Sequence, residues 1–448
     1  MKVGFVSLGC PKNQLDTEVM LHEVASAGYE ITPEEIEADV IIINTCGFIE
    51  SAKREAIEQI LDIAWLKKNR TLKAIVVTGC LAERYRESIL EEFPEVDAVL
   101  GVGSIHNIVE AIEAVTVKKK KGSKAKYSSF EDKEAVRLGG DRILTTPEYM
   151  AYLKIAEGCD NRCAYCAIPS IRGKFRSRPM EDIVEEARQM EALGVKELCI
   201  VAQDITRYGL DLYGKYSLAE LLHAITDATT IPWVRLLYCY PDKVTDELIA
   251  EIRDNPRILK YMDLPIQHIS DHMLRAMNRH GDGAMVREVI AKLRREIPDM
   301  VIRTTFIVGF PGETEEDFVE LCEFVKEAKF EHAGVFTYSR EEGTAAYDLP
   351  DQIDEQVKQD RMDILMREQL EINEARNRDM IGKTVTVLCE DYDPVGAIHF
   401  GRGVQDAPEI DGKIYFHSDV RIAPGSFVQV KIRKVMDYDL IGRAVMPK

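Results

Sequence analysis

"EGCDNRCAYCAIPSIRGKFRSRP" (157–179) carries Cys159, Cys163 and Cys166 in C-x3-C-x2-C spacing, directly after the β-rich run "AYLKIAEG" (151–158). A structural zinc site or a saturated iron–sulfur cluster wants four protein ligands. No fourth cysteine or histidine follows closely. Three thiolates can instead hold three irons of a cubic four-iron, four-sulfur cluster. The fourth iron is then open to a ligand, as a catalytic metal keeps an open position for its substrate. Zinc is the weaker reading, because the usual second CxxC pair is absent.

Outward from this stretch the chain alternates strands and helices. Five further apolar runs follow, "ELCIVAQD", "WVRLLYCYP", "YMDLPIQH", "VIRTTFIVGFPG" and "AGVFTYS". Between them lie stretches with helical spacing of apolar residues, such as "PMEDIVEEARQMEAL" and "EEDFVELCEFVKEA". Six β/α units predict an incomplete version of the eight-unit barrel, whose active site lies at the C-terminal strand ends. Cys159 falls at the first of those ends. A long charged helix over about 354–378 closes this region.

Residues 2–110 show a second α/β pattern. "KVGFVSLGC", "ADVIIINTCGF" and "KAIVVTGCLAE" are β-rich runs that reach Cys10, Cys46 and Cys80, with helical stretches at 13–27, 50–67 and 82–92. The pattern predicts a parallel sheet, whose ligands bind outside the C-terminal strand ends. Three cysteines distant in sequence would meet there as a second cluster with an open iron. The alternative, buried cysteine as a small core residue, is the reading for Cys199, Cys322 and Cys389, which sit inside apolar runs. Cys239 is left unassigned.

The basic stretch 117–129, "VKKKKGSKAKYSS", is expected to be a solvated linker, with a weak anionic contact as the alternative. From 379 onward, "KTVTVLCEDYD", "KIYFHS" and "GSFVQVKIRKVM" read as short strands of a small β-barrel.

At 448 residues the chain is long enough for two to four domains. No apolar run reaches the roughly 18 residues that span a membrane, and the start lacks the pattern of a signal peptide. A cytoplasmic chain with no membrane role is expected, and its ten cysteines then point to metal or redox chemistry. The net charge of −19 favours basic partners over nucleic acid. The tail from 379 holds nine Lys/Arg and ten Asp/Glu, too balanced for an RNA-docking barrel.

CxxxCxxC at the end of the first strand of a partial barrel resembles the radical S-adenosylmethionine (AdoMet) superfamily. That resemblance implies that the open iron chelates AdoMet. It also implies contacts from Gln203 and Asp204 in "VAQD", Gln267 in "LPIQH", Gly309 and Gly312 in "VGFPGE", and Tyr165 near the adenine. With the second cysteine set and the terminal barrel, the whole chain is similar to the methylthiotransferase family. The resemblance then implies an N-terminal methylthiotransferase domain with the auxiliary cluster (1–116), a basic linker (117–140), a radical-SAM core built as a partial (β/α)6 TIM-like barrel (141–378) and an antiparallel TRAM β-barrel that docks the substrate (379–448). It implies two 4Fe–4S clusters, and AdoMet as both radical source and methyl donor. A reducing electron donor and a sulfur donor are needed as partners.

Two branches of the family compete. One, RimO-type, modifies an aspartate β-carbon of the twelfth small-subunit ribosomal protein. The other, MiaB-type, modifies isopentenyl-adenosine in tRNA. "SLGCPKNQLDTE" (7–18), "GCDNRCAYCAIPSIRGKFRSRP" and "LPIQHISDHMLRAMNR" are similar to the ribosomal-protein branch. The expected partner is therefore a basic small-subunit ribosomal protein or the small subunit itself, without dominant nucleic-acid binding. An iron–sulfur electron-transfer protein is the remoter alternative. No side chain is assigned as a catalytic acid or base.

Overall fold

Runs such as "VIIINT" and "AIVVTG" are apolar at every position, which suits strands covered on both faces. In the computed structural model, which describes residues 1–116 and 126–445, they form Val40–Thr45 and Ala74–Gly79, both fully buried. They lie in the middle of a six-stranded all-parallel sheet. Its order is Glu30–Ile31, Lys2–Ser7, Val40–Thr45, Ala74–Gly79, Ala98–Leu100, Tyr127–Ser129. The register pairs Ser7 with Asn44 and Thr45 with Gly79, so the three cysteine-bearing strand ends are adjacent. Helices α1 (Pro11–Ser26), α2 (Glu50–Asn69) and α3 (Cys80–Tyr85) leave from those ends.

Two local expectations fail here. The helix expected over 82–92 is two short helices, because Arg86 takes a positive φ of 47° and stops α3. Within the expected linker, 117–125 lie outside the described residues, but Tyr127–Ser129 is an edge strand of the sheet. It pairs with Ala98–Leu100 and buries part of Tyr127 against the sheet's core. The chain beyond it is not a free tether either. Arg142 bonds Glu18 of α1 and Glu186 of the second domain.

The second domain is a six-stranded parallel sheet in sequential order: Met150–Lys154, Glu197–Val201, Trp233–Leu236, Ile258–Asp263, Val301–Val308 and His332–Thr337. Its first and last strands do not pair, which leaves the partial barrel open on one side. The outer faces of these strands pack under helices in the largest apolar core, which includes Cys239. Cys239 is thus a packing residue. The charged helix α5 (Glu355–Asp379) lies along the last strand and leads into the terminal domain.

That domain is a closed five-stranded barrel of Thr384–Asp393, Ile398–Gly403, Ile414–His417, Phe427–Met436 and Asp439–Ala444. It is antiparallel except where Ile414–His417 runs parallel to Asp439–Ala444. The small barrel caps the N-terminal ends of the partial barrel's strands. Glu197 accepts from Arg235 Nε at 2.6 Å and from Arg402 Nη2 at 2.7 Å, with all three side chains buried. Tyr261 Oη donates to Asp411 Oδ2 at 2.6 Å, and Trp233 packs edge-on against Phe427. The opposite, C-terminal strand ends hold the cysteines.

Candidate functional site

Cys10 precedes α1, whose first turn begins with Pro11, a residue suited to a helix start because it has no N–H to satisfy. Close approach of the three strand-end turns needs glycine. A Cβ on Gly9 (φ +91°) would lie 2.8 Å from Cys46 Cβ, and one on Gly47 would lie 2.8 Å from the Leu81 backbone. The turns bearing Cys10, Cys46 and Cys80 therefore pack edge to edge, as the spacing led us to expect.

The loop of Cys159, Cys163 and Cys166 is fixed from within. Cys159 N–H donates to the Gly173 carbonyl and Cys166 N–H to the Cys163 carbonyl, each at 3.1 Å. Asn161 Nδ2 donates to Asp204 Oδ2 at 2.8 Å. Asp204 also accepts from Thr206 and is buried, and desolvation raises its pKa. Its carboxylate is thus committed to holding the cysteine loop and the turn at 205–207.

The two cysteine sets meet across the domain boundary. Cys80 packs against Ala167 and Ile171, just after Cys166. Arg172, at the end of the short helix α4 (Ile168–Arg172), reaches back into the first domain. Its Nη2 lies 3.4 Å from Cys80 Sγ and 3.1 Å from Asn13 Oδ1, and its Nη1 lies 2.5 Å from Asp16 Oδ2. Lys154 pairs with Asp16 at 2.7 Å and with Glu157 at 2.9 Å, and Glu157 accepts from Gln203 Nε2 at 2.6 Å. Glu157 is desolvated, but Lys154 and Arg172 outweigh that and hold its pKa down to about 2.

Arg279 serves the set of Cys159, Cys163 and Cys166 in a similar way. Its guanidinium stacks on Tyr240 at 3.9 Å, donates to the Pro265 carbonyl at 2.5 Å and points Nη1 at Cys163 Sγ, 3.8 Å away. The Tyr240 hydroxyl lies 3.5 Å from the same sulfur. None of Arg172, Glu157, Tyr240 and Arg279 was among the residues expected from sequence. Glu157, Arg172 and Arg279 do lie inside the quoted motifs, but nothing in the sequence marks them off from other charged residues there.

Both sets suit a thiolate-bound cluster. Burial pushes the Cys80 and Cys159 thiols up to about 12, so a metal rather than solvent must displace their protons. Cys10 is also desolvated, yet the Lys12 and Arg172 cations lower it. Among the described residues, no three Cys, His, Asp or Glu side chains converge tightly enough to share one metal ion. A cubane binds each cysteine to a different iron, so its three sulfurs stand apart around the cube.

Beside the second set lies an open cavity of about 800 Å³, within the range of ligand sites. Tyr165 and Gln267 line it, as do Phe48 and Ile49, which follow Cys46 and Gly47, Phe336 of the last strand and Tyr338 just beyond it. Gln203 Oε1, Gln267 Oε1 and the Tyr338 hydroxyl are buried without a partner. Such orphaned groups fit a polar ligand. Gly309 (φ +70°) donates its N–H to Glu313 Oε2 at 2.5 Å, and Glu313 is held in turn by Arg361 and His268. Gly312 (φ +81°) donates to the Asp351 carbonyl at 3.0 Å. Tyr165 and Gln267 thus share the cavity, Gln203 sits in the charged network and Asp204 is bonded to the cysteine loop.

Comparison with known proteins gives three domain matches. Residues 2–101 match the "Uncharacterized protein family UPF0004", 153–325 the radical SAM superfamily and 381–445 the TRAM domain. The chain is 50% identical over 441 residues to the ribosomal protein uS12 methylthiotransferase RimO of Desulforamulus reducens, covering 98% of each. It is 51% identical to the protein of that name from Caldanaerobacter subterraneus subsp. tengcongensis, over 98% of this chain and 99% of the other. For the one from Geobacter sulfurreducens the values are 47%, 99% and 98%. Among solved structures, the radical S-adenosylmethionine methyltransferase TsrM from Kitasatospora setae shares the fold, with a TM-score of 0.56 at 15% identity over 77% of this chain and 74% of that one. Full-length identity near one half, with all three domains in order, places the chain in the RimO family of ribosomal protein uS12 methylthiotransferases, a branch of the radical SAM enzymes.

Proposed function

We propose that this chain inserts a methylthio group at the β-carbon of an aspartate in ribosomal protein uS12, in the cytoplasm. Cys159, Cys163 and Cys166 would hold the 4Fe–4S cluster that binds AdoMet, and Cys10, Cys46 and Cys80 an auxiliary one. When bound, these groups supply an electron, a 5′-deoxyadenosyl radical that removes hydrogen, and the sulfur and methyl that replace it. A reducing electron donor and a sulfur donor are required partners.

The chain's own residues do the rest. Tyr240 and Arg279 hold Cys163, and Asp204 holds the loop between Cys159 and Cys163 through Asn161. Gln203 and Gln267 each present an unpartnered amide oxygen to a cofactor's polar groups. Glu313 fixes the Gly309 turn. Phe48, Ile49, Ile307 and Phe336 give the cavity apolar walls, a lining that suits radical chemistry. No acid–base step on the substrate is required of them.

The observation that carries the reading is the junction of the two three-cysteine sets through Cys80, Arg172 and the Cys166–Ala167 turn. Sulfur held on one set would then be close to a carbon activated beside the other. The test incubates reconstituted protein with AdoMet, a reductant and sulfide, and offers either isolated uS12, small subunits or isopentenyl-adenosine tRNA. Mass spectrometry should find the gain of one methylthio group on the aspartate peptide. Modification of the tRNA with none of the protein would overturn the substrate and leave the radical chemistry standing.

A further inference from the structure

The helix that starts at the cavity's rim carries an unpartnered apolar stripe. Glu50 and Ser51 of α2 line the cavity. Further along the same helix, Ile57, Leu61 and Trp65 are 37%, 52% and 57% exposed. Their spacing of four residues puts them on one face. At about 1.5 Å per residue, the stripe runs from roughly 9 to 21 Å from Ser51 along the helix. The opposite face of α2 packs Ala56, Ile60, Ile63 and Ala64 into the sheet domain's core, so the stripe is surplus to folding.

Charge says what covers it. Glu58 and Asp62 each follow a stripe residue by one position, and Glu55 lies beyond them on the same side; all three are exposed. Arg54 and Lys68 are the exposed bases on this side of the helix, and Lys68 is paired with Glu95. An apolar strip with an acidic edge fits a basic protein with a small apolar patch, and it repels RNA phosphates. Ribosomal proteins are basic because they pack against a phosphate backbone.

Position favours this helix over the terminal barrel. The terminal barrel covers the N-terminal ends of the partial barrel's strands, a strand length away from the cysteines. The start of α2, by contrast, is clamped to the active side. Lys53 and Arg84 both bond the buried Glu341, at 3.0 and 2.8 Å, and Arg84 also donates to the Gly47 carbonyl beside Cys46. A protein resting on α2 is therefore held in fixed relation to the cavity.

We propose that the exposed face of α2, centred on Ile57, Leu61 and Trp65 with Glu58 and Asp62 at its edge, docks the basic ribosomal protein and aims its reactive loop into the cavity. This rests on the substrate reading above. The test compares wild-type chain with Leu61→Ser/Trp65→Ser and with Glu58→Lys/Asp62→Lys, using isolated uS12. Truncating a central aromatic anchor should raise KM roughly tenfold or more and leave kcat near its wild-type value. The charge-reversed variant should lose affinity most at low salt. AdoMet cleavage without substrate should not change in either. Trp65 also reports directly: bound substrate should shield it from acrylamide, and the shielding should vanish in Trp65→Phe, leaving only the buried Trp233. Wild-type KM in both variants, alongside normal wild-type turnover, would overturn the docking surface alone. So would a stripe that proves to be a self-association face, seen as a dimer that Leu61→Ser/Trp65→Ser dissolves with KM unchanged. No modification of uS12 by the wild-type chain would overturn the substrate reading and this surface together.

Discussion

Replacing Arg172 with methionine keeps an unbranched apolar stem and removes the charged guanidinium. The side chain is buried and touches Asp16, Glu157, Asn13 and Cys80. Without it, two buried carboxylates share the single cation of Lys154. Breaking a buried pair by removing one partner costs about 3–5 kcal/mol, and the surviving lysine puts this case near about 3 kcal/mol. The direction of the Glu157 pKa agrees: against desolvation it is held from 4.5 down to about 2 by Lys154 first and Arg172 second, so part of that depression goes with Arg172 and part stays with the lysine. A depressed carboxylate stabilises fully above its unfolded value and loses that stability as pH falls through its folded one. Wild-type protein should therefore keep this contribution down to about pH 4.5 and lose it toward pH 2. In Arg172→Met the contribution should be smaller and its loss complete at a higher pH. A chain of several domains does not unfold in two states, so the assay is hydrogen exchange of peptides from α1 and α4. Protection there should fall by about 3 kcal/mol in Arg172→Met, and by less when Asp16→Asn is already present. A loss below about 1 kcal/mol, or equal losses in the two backgrounds, would refute the network as the clamp between the domains.

Other outcomes follow from the site. Alanine at Cys159, Cys163 and Cys166 should abolish reductive AdoMet cleavage while the absorbance of one cluster persists. Alanine at Cys10, Cys46 and Cys80 should leave 5′-deoxyadenosine formation and abolish the methylthiolated product, as read by mass spectrometry. In reconstituted Arg172→Met, the midpoint potential of the auxiliary cluster, followed by EPR, should fall, because a hydrogen bond to a ligand sulfur favours the reduced state. Glu313→Gln should loosen the Gly309 turn and raise the KM for AdoMet more than it lowers kcat.

The adjacency of the turns bearing Cys10, Cys46 and Cys80 was legible because it depends on a rule that acts locally. A β-rich run places its end at the sheet's C-terminal edge, and "SLGC", "INTC" and "VTGC" each stop there; adjacency then follows from parallel order. Arg172 was not legible. In "SIRGKFRSRP" it looks like one more base on a solvated turn, and only the fold brings Asp16, more than a hundred residues earlier, to it. Asp204 carries a role that the sequence did not show: a carboxylate at a strand end suggests a ligand, and here it also accepts from Asn161 and Thr206. The strand Tyr127–Ser129 escaped notice because three residues carry too little periodicity to stand out beside a lysine run.

The terminal barrel shows why a charge count does not give a role until burial is known. Its near balance of acids and bases suggested a face for a basic partner. Yet Arg402, Asp406 and Asp411 are buried, pointed at Glu197, Tyr261, Arg303 and His332 under the partial barrel. Asp406 is desolvated and crowded by Asp411, which raises its pKa to about 7. A group raised in this way marks a contact that tolerates little rearrangement. Deleting 379–448 would strip Glu197 of its partner Arg402 and Arg235 of the Gly403 and Val404 carbonyls, and expose Trp233, Leu259 and Tyr261. The deletion should therefore lower the thermal midpoint of the partial barrel and its AdoMet cleavage together. Lys434→Glu, on an exposed part of the same domain, should change neither. If the shortened chain instead cleaved AdoMet at the full rate and melted unchanged, the small barrel would be an appendage, free to dock substrate on the very face assigned here to holding the core closed.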